Sequence, residues 1–298
     1  DLRADQALAV DAGQVFVASG EAIHALSADA AALRWRAPAG ALTAPMLAKD
    51  GWLISVSGGS LAALRSADGS KVWSRDVGAP AARPTIEGDV LYAPLGDGRL
   101  LAMDLRTGAT RWERRLAAPG GPGGTAISEV LAFPDRVFAG AGDGRFYCLD
   151  AADGTLVWRF RIGAVLRGRP VSDGTRVYVT AMDNVVRAFD RIGGALLWHP
   201  GLPFRPGGPV LLEGAVLVPG TASEIRAFDT AGRPAGTITL QASLVVPPAF
   251  DQTPDGTIAA LVTGSLTGEW TLVLLEPARG VPVAPLTVMP GTVVPIGP

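Results

Sequence analysis

Short runs of alternating apolar and polar residues recur along the chain, and turns rich in Gly and Asp close each run. One unit contains a run at Glu129–Pro134, a run at Asp135–Ala141, a turn at Gly142–Gly144, a run to Asp150 and a run ending at Trp158. Period-two alternation between such turns is typical of antiparallel hairpins. The pattern therefore predicts four short antiparallel strands and no helix in each unit.

The second half of this unit occurs five times, each time with a tryptophan at its end. The tryptophans are 38, 39, 46 and 40 residues apart. The five segments are Ala25–Trp35, Ala63–Trp73, Ala102–Trp112, Cys148–Trp158 and Ala188–Trp198. A period of roughly forty residues indicates one supersecondary unit stacked many times. Four-stranded units stacked radially make a β-propeller.

Two weaker copies follow the five clear ones. Ala227–Gly232 is one residue short and has Gly236 at the tryptophan position, and Leu274–Gly280 has Ala284 there. The sequence thus predicts an all-β, seven-bladed β-propeller of four-stranded antiparallel blades, forming a single domain over residues 1–298. Six or eight blades are the alternatives, because terminal repeats are often atypical.

The ends of the chain complete this assignment. Leu2–Val10 is predicted to be the first strand of the first blade, and Val281–Thr287 the last strand of the seventh. The tail Pro290–Ile296 is left over, and its prolines favour an edge strand.

The repeated residues are predicted to be structural. A glycine between the last two strands allows a positive φ, and a tryptophan is a large, flat side chain that can pack between blades. The small Ala or Cys148 before it leaves room for that packing. The predicted blade anchors are Trp35, Trp73, Trp112, Trp158 and Trp198.

Composition and charge exclude several classes of protein. The net charge of −2 without a basic run argues against nucleic-acid binding. No apolar run approaches the roughly 18 residues of a membrane-spanning helix. Cys148 is the single cysteine, so no internal disulfide forms. The chain begins at Asp1 and not at a methionine, and we expect that a leader preceded it.

The segment Ala102–Trp112 reads Ala-x-Asp-x-x-Thr-Gly-x-x-x-Trp, and this pattern resembles the pyrroloquinoline quinone (PQQ) enzyme repeat. Cys148–Trp158 and Ala63–Trp73 match it closely, so the resemblance covers essentially the whole chain. The repeat occurs in quinoprotein dehydrogenases and also in non-catalytic relatives, including BamB-like lipoproteins of the bacterial outer-membrane assembly machinery. It therefore implies the fold more strongly than the function.

This sequence lacks residues that the resemblance to the catalytic members of that family would imply. The resemblance would imply an adjacent cysteine pair, a calcium held by Glu, Asn and Asp, and an Asp base. Cys148 stands alone, and the one Asp-Asn pair, Asp183-Asn184, lies at a predicted tight turn. His24 and His199 are far apart in sequence and lack the Cys partners of a zinc site. We predict no enzyme, no catalytic or metal-binding residue and no cofactor.

Arginines precede three of the predicted first strands, at Arg83-Pro84, Arg167–Pro170 and Arg205-Pro206. First strands line the channel of a propeller, so Arg83, Arg169 and Arg205 are predicted to ring one mouth of it. Arginine forks suit a carboxylate or an acidic loop of a partner. Turn acids on the same face offer an alternative, structural pairing; they are Asp97, Asp143, Asp183 and Glu224.

Three functions remain open. The first is a non-catalytic, monomeric scaffold of the bacterial cell envelope, periplasmic or outer-membrane-associated and similar to the assembly lipoproteins. It predicts a protein partner, such as a component of outer-membrane β-barrel assembly, with no nucleic acid and no membrane span in this chain. The second is a ligand-binding or sensory propeller domain of a larger protein. The third, a PQQ-dependent dehydrogenase, fits least well.

Overall fold

The computed structural model describes residues 9–117, 123–212, 214–222, 224–239, 249–252, 258–264 and 269–275. All regular secondary structure in these residues is β-strand, so the predicted all-β class is confirmed. None of the described segments forms a helix long and apolar enough to cross a membrane. The chain separates into two compact units, Asp1–Val165 and Leu166–Pro298. The single domain over residues 1–298 stays a prediction.

The first unit contains four antiparallel sheets, each of four strands in chain order, which we call blades 1 to 4. Blade 1 comprises β1 (Ala9–Asp11), β2 (Gln14–Ser19), β3 (Ala22–Ser27) and β4 (Leu33–Pro38). Blade 2 comprises β5 (Leu47–Lys49), β6 (Trp52–Ser57), β7 (Ser60–Arg65) and β8 (Lys71–Asp76). Blade 3 comprises β9 (Thr85–Glu87), β10 (Val90–Pro94), β11 (Arg99–Asp104) and β12 (Thr110–Arg115). Blade 4 comprises β13 (Leu131–Ala132), β14 (Arg136–Ala141), β15 (Arg145–Asp150) and β16 (Leu156–Arg161).

The second unit continues the same pattern. Blade 5 comprises β17 (Leu166–Ser172), β18 (Arg176–Ala181), β19 (Val185–Asp190) and β20 (Leu196–Trp198). Blade 6 comprises β21 (Val210–Leu212), β22 (Ala215–Val218), β23 (Glu224–Asp229) and β24 (Pro234–Thr239). A further sheet, which we call blade 7, comprises β25 (Ala249–Gln252), β26 (Ile258–Gly264) and β27 (Glu269–Leu275).

The predicted four-stranded blade is confirmed six times, and the seventh sheet has three strands within the described residues. Its predicted fourth strand at 281–287 and the tail at 290–296 lie outside the described residues. The same is true of most of the predicted first strand at 2–10, of which β1 contains only the end.

In blades 1 to 6, the third and fourth strands form a hairpin with the same register. A β-bulge follows the small residue that pairs with the tryptophan, as in Ala102↔Trp112 and Cys148↔Trp158. In blade 6 the corresponding pair is Ala227↔Gly236, so Gly236 occupies the tryptophan position, as the sequence predicts. The bulge increases the local twist of the hairpin.

In blades 3 to 6, the turn before the last strand is stabilised by an aspartate. In blade 3, Asp104 Oδ1 accepts hydrogen bonds from the backbone N–H groups of Arg106 and Thr107, at 3.1 and 3.0 Å. Gly108 follows with a φ of +69°, and its N–H donates to the Asp104 carbonyl at 2.8 Å. A residue with a side chain adopts this left-handed conformation at a cost, which explains the repeated glycine.

The core of each unit lies between blades. In the first unit, one buried cluster joins Leu61 and Trp73 of blade 2 to Ile86 and Leu91 of blade 3. First strands of successive blades approach each other, as β1 and β5 do here and β17 and β21 do in the second unit. The fourth strands are more exposed, with Leu156 50% accessible.

Candidate binding surface

Four repeat tryptophans contact the blade that follows them in the same way. Each indole N–H donates to a backbone carbonyl of the next blade's last hairpin. The pairs are Trp35 with Ser66 at 3.0 Å, Trp73 with Leu105 at 2.8 Å, Trp112 with Ala151 at 2.9 Å and Trp198 with Thr230 at 2.9 Å. These contacts place the four tryptophans between blades.

The fifth repeat tryptophan, Trp158, packs within its own blade. Its ring centroid lies 5.8 Å from that of Phe138 and 5.6 Å from that of Phe146. Both phenylalanines are fully buried, so this face of blade 4 has an aromatic core.

The turn acids between second and third strands are paired with arginines of their own third strands. Asp97 Oδ2 lies 2.6 Å from Arg99 Nε, and Asp143 Oδ2 lies 2.7 Å from an Arg145 nitrogen. In the second unit, Asp183 pairs with Arg187 and Glu224 with Arg226. The acids therefore form ion pairs within their own hairpins. Each arginine is only two to four residues away on the third strand, so the pair forms without a contribution from another loop.

Arg83 lies in the loop before β9, where the sequence places it. Its side chain is half-buried, and its Nε is inaccessible to solvent and has no hydrogen-bond partner among the described residues. A buried N–H without an acceptor costs free energy. A change of the Arg83 rotamer that exposes Nε to an incoming acceptor would remove that cost.

The two other predicted arginines belong to the second unit. Arg205 is exposed in the loop before β21, as expected. Arg169 is also exposed, but it lies inside β17 and not before it, because a bulge between Arg167 and Val171 extends this strand past the proline. Arg83 thus belongs to the first unit and the other two arginines to the second, and their arrangement as a ring stays a prediction.

From the run Arg167–Pro170 the sequence-based prediction selects Arg169 and not Arg167, whose Nε is buried without a hydrogen-bond partner among the described residues. The backbone around it is tightly packed, because a Cβ on Gly168 would lie 2.4 Å from the Cα of Gly208. The Arg-Gly-Arg-Pro run in the sequence indicates a basic segment here. The bulge in β17 determines which of its two arginines is buried, and the sequence alone does not predict that bulge.

Residues that could carry metal or redox chemistry are isolated. Within the described segments, no group of three or more His, Cys, Asp or Glu side chains could hold a metal ion. Cys148 is buried, and Asn184 sits in a turn with a φ of +59°. His24 is half-buried on β3, where it faces Arg36 across the hairpin.

Two clefts open between blades of the first unit. The cleft between blades 1 and 2 has a volume of about 240 Å³, and small residues such as Ser55, Ser60 and Ala62 line it. The cleft between blades 2 and 3 has about 340 Å³, and Arg99 and Glu113 line it. Both are open to solvent, so they offer little enclosure for a small ligand.

The repeat and the sheets define a β-propeller built from PQQ-type repeats. The family model for the outer membrane protein assembly factor BamB matches residues 2–133 and 123–245. The chain belongs to this BamB family.

Solved structures agree with the fold. The crystal structure of BamB from Moraxella catarrhalis is 19% identical, with a TM-score of 0.74, and the match covers 90% of this chain and 84% of that one. A computationally designed protein, Ika8, is 14% identical with a TM-score of 0.73, covering 92% of this chain and 88% of that one. No curated protein matches the sequence.

Proposed function

We propose that this protein is a non-catalytic scaffold that binds a protein partner in the bacterial cell envelope, where it contributes to outer membrane protein assembly. Membership of the BamB family supports this role, since the family is described as an outer membrane assembly factor. The proposed location is the periplasm or the periplasmic side of the outer membrane.

The observation that supports the binding role is the buried Nε of Arg83, which has no hydrogen-bond partner among the described residues. The acids that would neutralise such a group structurally are already paired in their own hairpins, Asp97 with Arg99 and Asp143 with Arg145. A buried arginine nitrogen without an acceptor is suited to a carboxylate from another molecule. We therefore propose an acidic loop of the partner at Arg83, with Arg169 and Arg205 as further contacts.

The absence of enzymatic activity is part of the same proposal. The single cysteine excludes the vicinal pair expected of a quinoprotein alcohol dehydrogenase. The Asp183 carboxylate is paired with Arg187 and so is not a ready calcium ligand.

Site-specific photocrosslinking in the native bacterium tests the binding face. A photoreactive amino acid replaces Arg83 in one variant and Arg205 in another. Arg106, an exposed arginine in the β11–β12 turn, provides the matched control. We expect specific crosslinks to one protein of the outer-membrane assembly machinery from positions 83 and 205, and none from position 106.

Equal crosslinking from all three positions would contradict the binding face. Crosslinks from none of them, with the protein correctly exported and folded, would contradict a protein partner at these arginines. In that case the ligand-binding propeller becomes the better hypothesis.

A further inference from the structure

We propose that blade 4 carries an anion site for a phosphate group, formed by Arg145, Arg159 and Arg161. This inference is independent of the protein-binding face proposed above. It depends on the strand register of one hairpin and on a comparison with the neighbouring blade.

The register of blade 4 brings these arginines to one face of the sheet. Arg145 of β15 is directly opposite Arg161 of β16, and Tyr147 is directly opposite Arg159. Residues two apart along a strand point to the same side, so the three arginines and Tyr147 share one face. Like charges directly opposite each other destabilise a sheet. A negative charge near these arginines would therefore stabilise the hairpin.

Among the described residues, one carboxylate forms an ion pair with these arginines. Asp143 Oδ2 lies 2.7 Å from Arg145 and accepts a hydrogen bond from the Tyr147 hydroxyl at 2.6 Å. Burial and the bond to Asp143 raise the pKa of Tyr147 to about 12, so the phenol remains neutral. The side chains of Arg159 and Arg161 are exposed, and neither forms a hydrogen bond or ion pair with another described residue.

In blade 3, arginines at the corresponding positions of the hairpin are neutralised by carboxylates. There Arg99 is opposite Arg115, and Glu113 occupies the position that Arg159 has in blade 4. Arg99 is 2.6 Å from Asp97 and 3.3 Å from Glu113, so two carboxylates balance two arginines. In blade 4, three arginines face one carboxylate, which leaves a local charge of +2.

The number of arginines on this face and their excess charge favour a phosphate group. A phosphate monoester is close to a dianion at neutral pH, so it matches the excess charge. Its several oxygens can accept from more than one guanidinium fork at once, whereas one carboxylate has two oxygens. The phosphate could belong to a soluble molecule or to a lipid headgroup, and the chemistry of recognition is the same.

Titration calorimetry of the purified protein with inorganic phosphate tests the site, with chloride at matched ionic strength as the reference. We expect saturable binding by the wild type. Arg159→Glu copies the blade 3 arrangement and should weaken binding about tenfold or more, because it removes a donor and adds a competing carboxylate. Arg106→Glu makes the same charge change elsewhere and should leave binding unchanged.

The outcomes separate clearly. No binding beyond the chloride reference, or equal loss in Arg159→Glu and Arg106→Glu, overturns the proposal. If Arg159→Glu fails to fold, Arg159→Gln removes the donor without adding charge and should still lose phosphate binding. Binding of a polyglutamate peptide without binding of phosphate also overturns the proposal and indicates an acidic protein ligand.

Vesicles identify the source of the phosphate. Wild-type protein that binds free phosphate and also vesicles containing phosphatidic acid, but not vesicles of phosphatidylcholine alone, recognises a lipid headgroup. Binding of free phosphate without either vesicle supports a soluble phosphorylated ligand.

Discussion

Replacing Gly154 with alanine should destabilise the contact between blades 3 and 4. Gly154 has a φ of +70°, and an added Cβ would lie 2.7 Å from Trp112 Cε3 and 2.8 Å from Trp112 Cδ2. Such distances require the indole ring or the turn to shift. The substitution therefore combines a backbone cost with an overpacking cost.

The two costs can be separated within this protein. A non-glycine residue in the left-handed region costs about 1–2 kcal/mol, and overpacking a well-packed site costs about 1–3 kcal/mol. Gly13 has a φ of +73° and no atom within 4 Å of an added Cβ, so Gly13→Ala carries the backbone cost alone. We expect Gly154→Ala to be less stable than Gly13→Ala by about 1–3 kcal/mol.

Thermal unfolding of the variants measures this difference. At about 2–4 °C per kcal/mol, Gly154→Ala should melt at least about 2 °C below Gly13→Ala. In a Trp112→Ala background the clash with the indole disappears and only the approach of the added Cβ to Arg114 Cγ, at 3.0 Å, remains, so most of the difference between Gly154→Ala and Gly13→Ala should be lost. Equal melting temperatures for the two glycine variants, or no relief on removing the indole, would refute tryptophan packing between these blades.

Three further predictions concern other contacts. Trp112→Ala should cost about 3–5 kcal/mol, as large core truncations do, and a change in Tm under about two degrees would contradict that role. Asp11→Ala should cost about 1–3 kcal/mol, because Asp11 Oδ2 accepts from the Gly51 N–H at 2.9 Å across two blades; an unchanged urea midpoint would count against this link. Burial alone would raise the pKa of Asp173, but hydrogen bonds from Tyr178 and neighbouring N–H groups lower it overall. The stabilisation of the fold by the ionised Asp173 carboxylate is fully present above the unfolded-state pKa of about 3.9. It is lost as the pH falls from that value toward the lower pKa of the folded state. The Tm difference between wild type and Asp173→Asn should therefore narrow in acid, and a constant difference would refute this.

The sequence predicts much of the fold because the repeat is encoded locally. The spacing from the aspartate through the glycine to the tryptophan determines one hairpin, as Asp104, Gly108 and Trp112 illustrate. The same logic identifies Gly236 as the substitute for a tryptophan in blade 6.

The binding surfaces are less predictable, because they depend on the register between strands. The bulge after Cys148 determines that Arg145 opposes Arg161, and no linear motif marks that pair. The sequence contains no basic run, and the three arginines of the blade 4 hairpin come from two strands that are separated along the chain. The ion pairs between the turn acids and the arginines of the third strands likewise depend on the geometry of each hairpin, which the sequence pattern does not specify.

The most direct test of the scaffold role is affinity purification of the tagged full-length protein from detergent-solubilised native envelopes, followed by mass spectrometry. We predict co-purification of outer-membrane β-barrel assembly components, and their loss from Arg83→Glu/Arg205→Glu with Tm and export unchanged. The control Arg106→Glu should retain them. Recovery of the protein alone, or equal recovery of those components with all variants, would contradict the account.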